Sequence, residues 1–202
     1  MKRKRVLVRF LLSQTILLAL FAGGATQTQA QAQPQTENKP MPTTESKPAT
    51  PAAKPADVVS IDAILAAVYD TISGPAGQPR DWDRFRSLFV PGARLIPTVK
   101  RPDGEFVSRV LDVETFIRSA TENTQKQGFY EKAIANRIEQ FANIAHVFST
   151  YEARHNATDA KPFIRGINSI QLMNDGQRWW VVTIFWQAED AANLIPQKYL
   201  KD

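Results

Sequence analysis

The chain has 202 residues, no cysteine, and 25 Lys+Arg against 20 Asp+Glu, a net charge of +5. Without cysteine it can form no disulfide, thiol nucleophile, cysteine metal site or cysteine-linked lipid anchor. The charge is uneven: Lys2, Arg3, Lys4, Arg5 and Arg9 stand in residues 1–32 with no acidic residue, which leaves 20 against 20 beyond them. A neutral remainder offers no basic face for nucleic acid.

The basic start is followed by an apolar run, Phe10 to Ala22, and then by Ala30-Gln31-Ala32. This is the order of a secretory signal peptide: charge, apolar core, small-residue cleavage site. The run is shorter than the roughly 20 residues of a membrane span, so no stable span is expected after cleavage. The expected cut follows Ala32, with Ala30 as second choice, which makes the protein exported, to the periplasm or the extracellular space. Residues 33–57, QPQTENKPMPTTESKPATPAAKPAD, are rich in Pro, Ala, Thr and Lys and contain one large apolar residue, Met41. Such a segment buries too little surface to offset chain entropy and reads as a disordered linker.

The remaining residues, 58–202, have the length of one domain. Ser60 can cap a helix with Ile61, Ile64, Leu65, Val68 and Ile72 at helical spacing. GPAGQP ends it, and Asp81 caps a second helix, DWDRFRSLF, that stops at Pro91-Gly92. ARLIPTV and EFVSRVL read as a hairpin around RPDG. Asp112 opens a third helix with Val113, Phe116 and Ile117 inward. Two long strands follow, FYEKAIANRIEQ and NIAHVFSTYEAR, and then GINSIQLM and RWWVVTIFWQ around NDGQ. Helices followed by a run of antiparallel strands indicate an α+β domain.

Strict alternation sets Trp179, Val181, Thr183 and Phe185 on one face of the last strand and Trp180, Val182, Ile184 and Trp186 on the other. Neither face is polar. Alternation also sets Arg137 and Glu139 on a solvated or interface face, opposite Asn136 and Ile138. Of the two histidines, His146 points away from Val147, Ser149 and Tyr151, and His155 falls in a solvated loop. Two separated histidines without an acidic cluster give no metal site. Asp81 and Asp83 read as helix-cap and first-turn charges.

The stretches DWDRFRSLFVPGARLI, RIEQFANIAHVFSTYE and DGQRWWVVTIFWQ, with the order of elements around them, resemble the nuclear transport factor 2-like (SnoaL-like) superfamily, as an exported bacterial member. The resemblance runs from Ser60 to about Gln187. It implies a strongly curved antiparallel sheet wrapped into a cone, with three helices packed over its concave face and a pocket beneath them. It also implies a homodimer through the convex face, for which Trp179 and Phe185 are the candidate contacts. The superfamily includes isomerases, dehydratases, epoxide hydrolases, cyclases and modules that only bind. In its ketosteroid isomerases a carboxylate base works with a tyrosine and a protonated aspartic acid. The oxyanion-holding aspartic acid falls near Asn168, the tyrosine near Tyr69, a pocket tryptophan near Trp186, and the base near Pro97, which cannot accept a proton.

The cone interior would then carry Ile138, Val147, Ser149, Tyr151, Ile170, Leu172 and Trp186. Tyr69, Asn136 and Asn168 would be its polar points. The expected ligand-binding residues are Tyr69, Asn136, Ser149, Tyr151, Asn168 and Trp186, with no catalytic residue, metal or cofactor assigned. Two functions remain open. The missing base favours a non-catalytic module that binds a small apolar ligand or a protein partner. The alternative is a lyase, isomerase or hydrolase acting on a small hydrophobic substrate. A carboxylate or histidine buried within reach of Asn168 and Tyr69 would favour the enzyme.

Overall fold

The computed structural model describes residues 50–200. The signal peptide read at 1–32 and linker residues 33–49 lie outside the described residues. The folded part reaches back into the stretch read as linker. A short helix, α1 (Pro55–Val58), buries Asp57, which forms a two-pronged ion pair with Arg84 at 2.7 and 2.9 Å. Arg84 also pairs with Asp70, and hydrogen bonding to Arg84 holds the Asp57 carboxyl below its usual range.

Helix α2 (Ile61–Ile72) starts where Ser60 accepts the Ala63 N–H at 3.1 Å, and it buries Ile64, Leu65, Val68 and Tyr69. Asp81 caps α3 (Trp82–Ser87) through the Arg84 N–H, and Asp112 caps α4 (Val113–Lys126) through the Thr115 N–H. Each cap satisfies one of the N–H groups that a helix start leaves unpaired.

Six strands form one sheet in the order β2-β1-β6-β5-β4-β3. They are β1 (Phe89–Lys100), β2 (Phe106–Ser108), β3 (Tyr130–Phe141), β4 (Ile144–Arg154), β5 (Ile164–Asn174) and β6 (Trp179–Ala188). The sheet is mostly antiparallel, but β1 runs parallel to β6, which corrects the expectation of a purely antiparallel sheet. Helices α2 and α4 pack on one face of it, α2 against β3 and β6, and α4 against β1. Pro91-Gly92, expected only to end a helix, lies inside β1 at a break in register, where Gly92 adopts φ +84°.

The last strand does not alternate strictly. Leu172 faces Val181 while Gln171 faces Thr183, so β6 carries one extra residue there. The bulge reverses the parity of everything before it. Trp179, Val181, Ile184 and Trp186 therefore share the helical face, with Asn168, Ile170 and Leu172 as cross-strand neighbours. Trp179 is 7% exposed and belongs to the core, so it is not available as a dimer contact. Trp180 lies opposite, donating through Nε1 to Asp175 and covered by the Arg178 guanidinium 3.6 Å from its ring centre. Phe185, on that outer face, is 46% exposed.

The end of the described chain lies across the outer face. Thr150 Oγ1 donates to the Tyr199 carbonyl at 2.6 Å, Arg137 Nε donates to the Lys198 carbonyl at 2.6 Å, and Tyr199 packs on Phe148. Arg165 anchors the segment through Glu189 at 2.5 Å. His146 points outward as expected and meets Ser169 at 3.1 Å. His155, expected in solvent, is half-buried. It stacks flat on Phe163, with centroids 4.0 Å apart, and meets the Gly128 carbonyl. Ile138, expected in the interior, is 42% exposed on edge strand β3.

The parity reversal has a direct test in urea denaturation. Trp179→Ala should cost about 3–5 kcal/mol, the usual loss for a large core side chain, and Phe185→Ala less than about half of that. Equal costs would contradict the bulge.

Candidate active site

Between the helical face and α4 lies a cavity of about 360 Å³. Its walls are mostly apolar: Val68 and Ile72 from α2, Phe85 from α3, Leu95 and Pro97 from β1, Phe116 from α4, and Ile184 and Trp186 from β6. Phe116 meets Trp186 edge-to-face at 6.3 Å and stacks on Phe85 at 5.3 Å. The mouth is polar, with exposed Arg109, Ser119, Asn123 and Gln127. Besides Thr124 of α4, three polar residues line the wall from the sheet: Glu131 from β3, Tyr151 from β4 and Asn168 from β5.

Two of them, Glu131 and Asn168, stand on a chain of hydrogen bonds. The Asn168 side-chain amide donates to Glu131 Oε1 at 3.2 Å and to Tyr69 Oη at 3.1 Å. Tyr69, having accepted from Asn168, has its own proton for Ser149 Oγ at 2.6 Å. Register explains the alignment, because Ser149, Asn168 and Trp186 are direct neighbours across β4, β5 and β6. The Glu131 backbone is held as well: its N–H donates to Ser73 Oγ at 3.0 Å, just after α2.

Glu131 faces the cavity because β3 also bulges. Ala133 faces Tyr151 while Ala135 faces Thr150, so Ile134 is the extra residue. Glu131, opposite Ala153, thereby shares a face with Asn136, although strict alternation would group it with Arg137 and Glu139. Nothing in the sequence marks the bulge, so Glu131 could not be singled out from it.

Tyr151 owes its position to a glycine. A Cβ on Gly166, directly across the ladder, would come within 2.5 Å of Tyr151 Oη and 2.7 Å of its Cζ. Among the described residues no hydrogen bond engages the Tyr151 hydroxyl, which leaves its proton for a bound molecule. Burial, and then the nearby Glu131, push this phenol above its ordinary pKa, so it stays a neutral donor. Burial likewise pushes Tyr69 up to about 12. Burial pushes the Glu131 carboxyl up to about 7, against a smaller lowering by the Asn168 hydrogen bond.

The expected pocket residues divide into three groups. Tyr151, Asn168 and Trp186 line the cavity. Tyr69 and Ser149 lie behind it and hold Asn168. Asn136 lines a separate groove between α2 and β3, together with Tyr69, Lys132 and Arg154, and Glu131 borders both spaces. Pro97 lines the cavity beside Trp186, so the position expected for a base is present but carries no acid. Among the described residues no three His, Asp or Glu side chains gather into a metal-binding group.

No protein-family model and no curated protein matches the chain. Solved structures do. One is a protein of unknown function with a cystatin-like fold from Nostoc punctiforme, with TM-score 0.50 and 10% identity, covering 66% of this chain and 91% of that one. The chain has the cystatin-like fold of that protein. Weaker likenesses include a nuclear transport factor 2-like protein of unknown function from Pseudomonas aeruginosa, with TM-score 0.44 and 15% identity, over 62% of this chain and 91% of that one. A candidate ketosteroid isomerase from Kribbella flavida gives TM-score 0.39 and 16% identity, over 71% and 87%. At such identities the likeness concerns the fold alone, and one fold can host many activities.

The raised Glu131 carboxyl makes a prediction about stability. Its ordinary value is 4.5 and its folded value about 7. Between those values the folded state holds a proton that the unfolded chain releases. The contribution is therefore fully present below about pH 4.5 and is lost as pH rises through about 7. The loss is on the order of 3 kcal/mol. Comparing unfolding free energies from pH 4.5 to 8, the wild type should fall more steeply than Glu131→Gln. Parallel curves would contradict the assignment.

Proposed function

We propose that this protein is an acid–base enzyme that moves a proton on a small, mainly apolar molecule, as an isomerase, lyase or hydrolase does. One observation carries the reading: the carboxyl of half-buried Glu131 stands at an apolar cavity, hydrogen-bonded to Asn168 and one bond removed from Tyr69. This is the feature that separates an enzyme from a binding module on sequence grounds. The cavity volume of about 360 Å³ also lies within the range of small-molecule sites.

The roles follow from the geometry. A cone-shaped sheet closed by helices would shelter the substrate from water. Glu131 takes the proton, since a carboxyl near pKa 7 is a stronger base than an ordinary one and about half of it is still ionised at neutral pH. Tyr151 offers its unshared hydroxyl proton to the oxygen on which charge develops. Asn168 orients Glu131, and Tyr69 with Ser149 fixes Asn168, so these three are positioning residues. Pro97 and Trp186 belong to the apolar wall of the cavity that Glu131 faces. The basic start, apolar run and Ala30-Gln31-Ala32 support placing this activity outside the cytoplasm.

A generic probe tests the reading without knowledge of the substrate. 5-Nitrobenzisoxazole loses a proton from carbon as its N–O bond breaks, giving a phenolate whose oxygen can accept from Tyr151. The wild type should accelerate this elimination, with a rate that rises with pH through a midpoint near 7. Glu131→Gln should lower the rate at least about 100-fold, the usual contribution of a positioned base. Equal rates for the two proteins would overturn the proposal.

A further inference from the structure

The cavity is not electrically neutral at its mouth. Arg109 is its sole cationic lining residue, and among the described residues its guanidinium makes no ion pair. Nearby acids are engaged elsewhere: Glu114 with Arg86, Glu105 with Arg101, and Asp112 at the start of α4. The Arg109 backbone is fixed by its N–H on the Pro97 carbonyl at 3.3 Å and by the Leu95–Leu111 bridge two residues on.

Arg109 and Glu131 line the same cavity from opposite ends of the sheet. Arg109 is bonded to Pro97, Pro97 faces Trp186, and Trp186 faces Asn168, which holds Glu131 from β3, two strands further on. Five strand spacings of about 4.8 Å put the backbones roughly 24 Å apart along the sheet. Both side chains reach into the one cavity, where a single bound molecule can meet both. Between the ends the lining is aromatic and aliphatic: Leu95, Phe116, Ile184 and Trp186.

We propose that the substrate carries a carboxylate on an apolar body, with the carboxylate held by Arg109 at the mouth and the reacting carbon at Glu131. A guanidinium offers a carboxylate two parallel hydrogen bonds, and the separation keeps that carboxylate away from the ionised base. The inference rests on the reading of this cavity as the active site and adds the substrate's chemical class.

The test is calorimetric titration with a matched pair, 4-phenylbutanoate and 4-phenylbutanamide, at pH 8 and low salt. The wild type should bind the carboxylate at least tenfold tighter than the amide. Arg109→Gln should abolish that preference and leave the amide's affinity unchanged, and Arg109→Lys should keep part of it. Equal affinities in the wild type, a preference that survives Arg109→Gln, loss of amide binding in that variant, or binding of neither probe would overturn the proposal. Binding is read without turnover. A carboxylate preference in a protein that shows no Glu131-dependent elimination would retain the anchor and discard the catalytic role.

Discussion

A single extra residue in β3 turns Glu131 toward the helices. Without the bulge at Ile134, the carboxyl would leave the sheet on the side of Arg137 and meet solvent. With it, the carboxyl enters an apolar cavity, where its charge is costly unless a donor faces it. Asn168 supplies that donor and is itself fixed by Tyr69 and Ser149. The conformations of α2, β4 and β5 are thus tied to one carboxyl through three side chains, and Ser73 ties the same strand residue to the end of α2 through the backbone.

The arrangement works against stability. Burial raises the pKa of Glu131 and those of both tyrosines, so each ionised form is disfavoured. A core built for stability alone would place an apolar residue at this point. Retaining an acid there, beside a tyrosine hydroxyl that no neighbour uses, is the pattern of a site shaped for chemistry. Around it the cavity is lined by Phe85, Phe116 and Trp186, with polar groups at its mouth.

Much of this was legible in the sequence. Periodicity located the three longer helices and all six strands, and Ser60, Asp81 and Asp112 act as the caps their positions suggest. The shared face of Asn168, Ile170 and Leu172 followed from alternation, because β5 carries no extra residue of its own. What was not legible depends on two bulges. An inserted residue leaves composition and hydropathy unchanged but reverses parity, so Trp179 appeared to be outside when it is in the core, and Glu131 was passed over. The parallel β1–β6 pair, the closing segment over Thr150 and the stacking of His155 on Phe163 are long-range contacts, which no local pattern encodes.

The central claim is that the Glu131 carboxyl is desolvated at the cavity. The most direct measurement is a carbon-13 NMR titration of protein labelled at the glutamate side-chain carboxyl, with the Glu131 signal assigned by its loss in Glu131→Gln. The account predicts a midpoint near pH 7 for that signal. A midpoint near 4.5, the ordinary value for a glutamate in water, would contradict it.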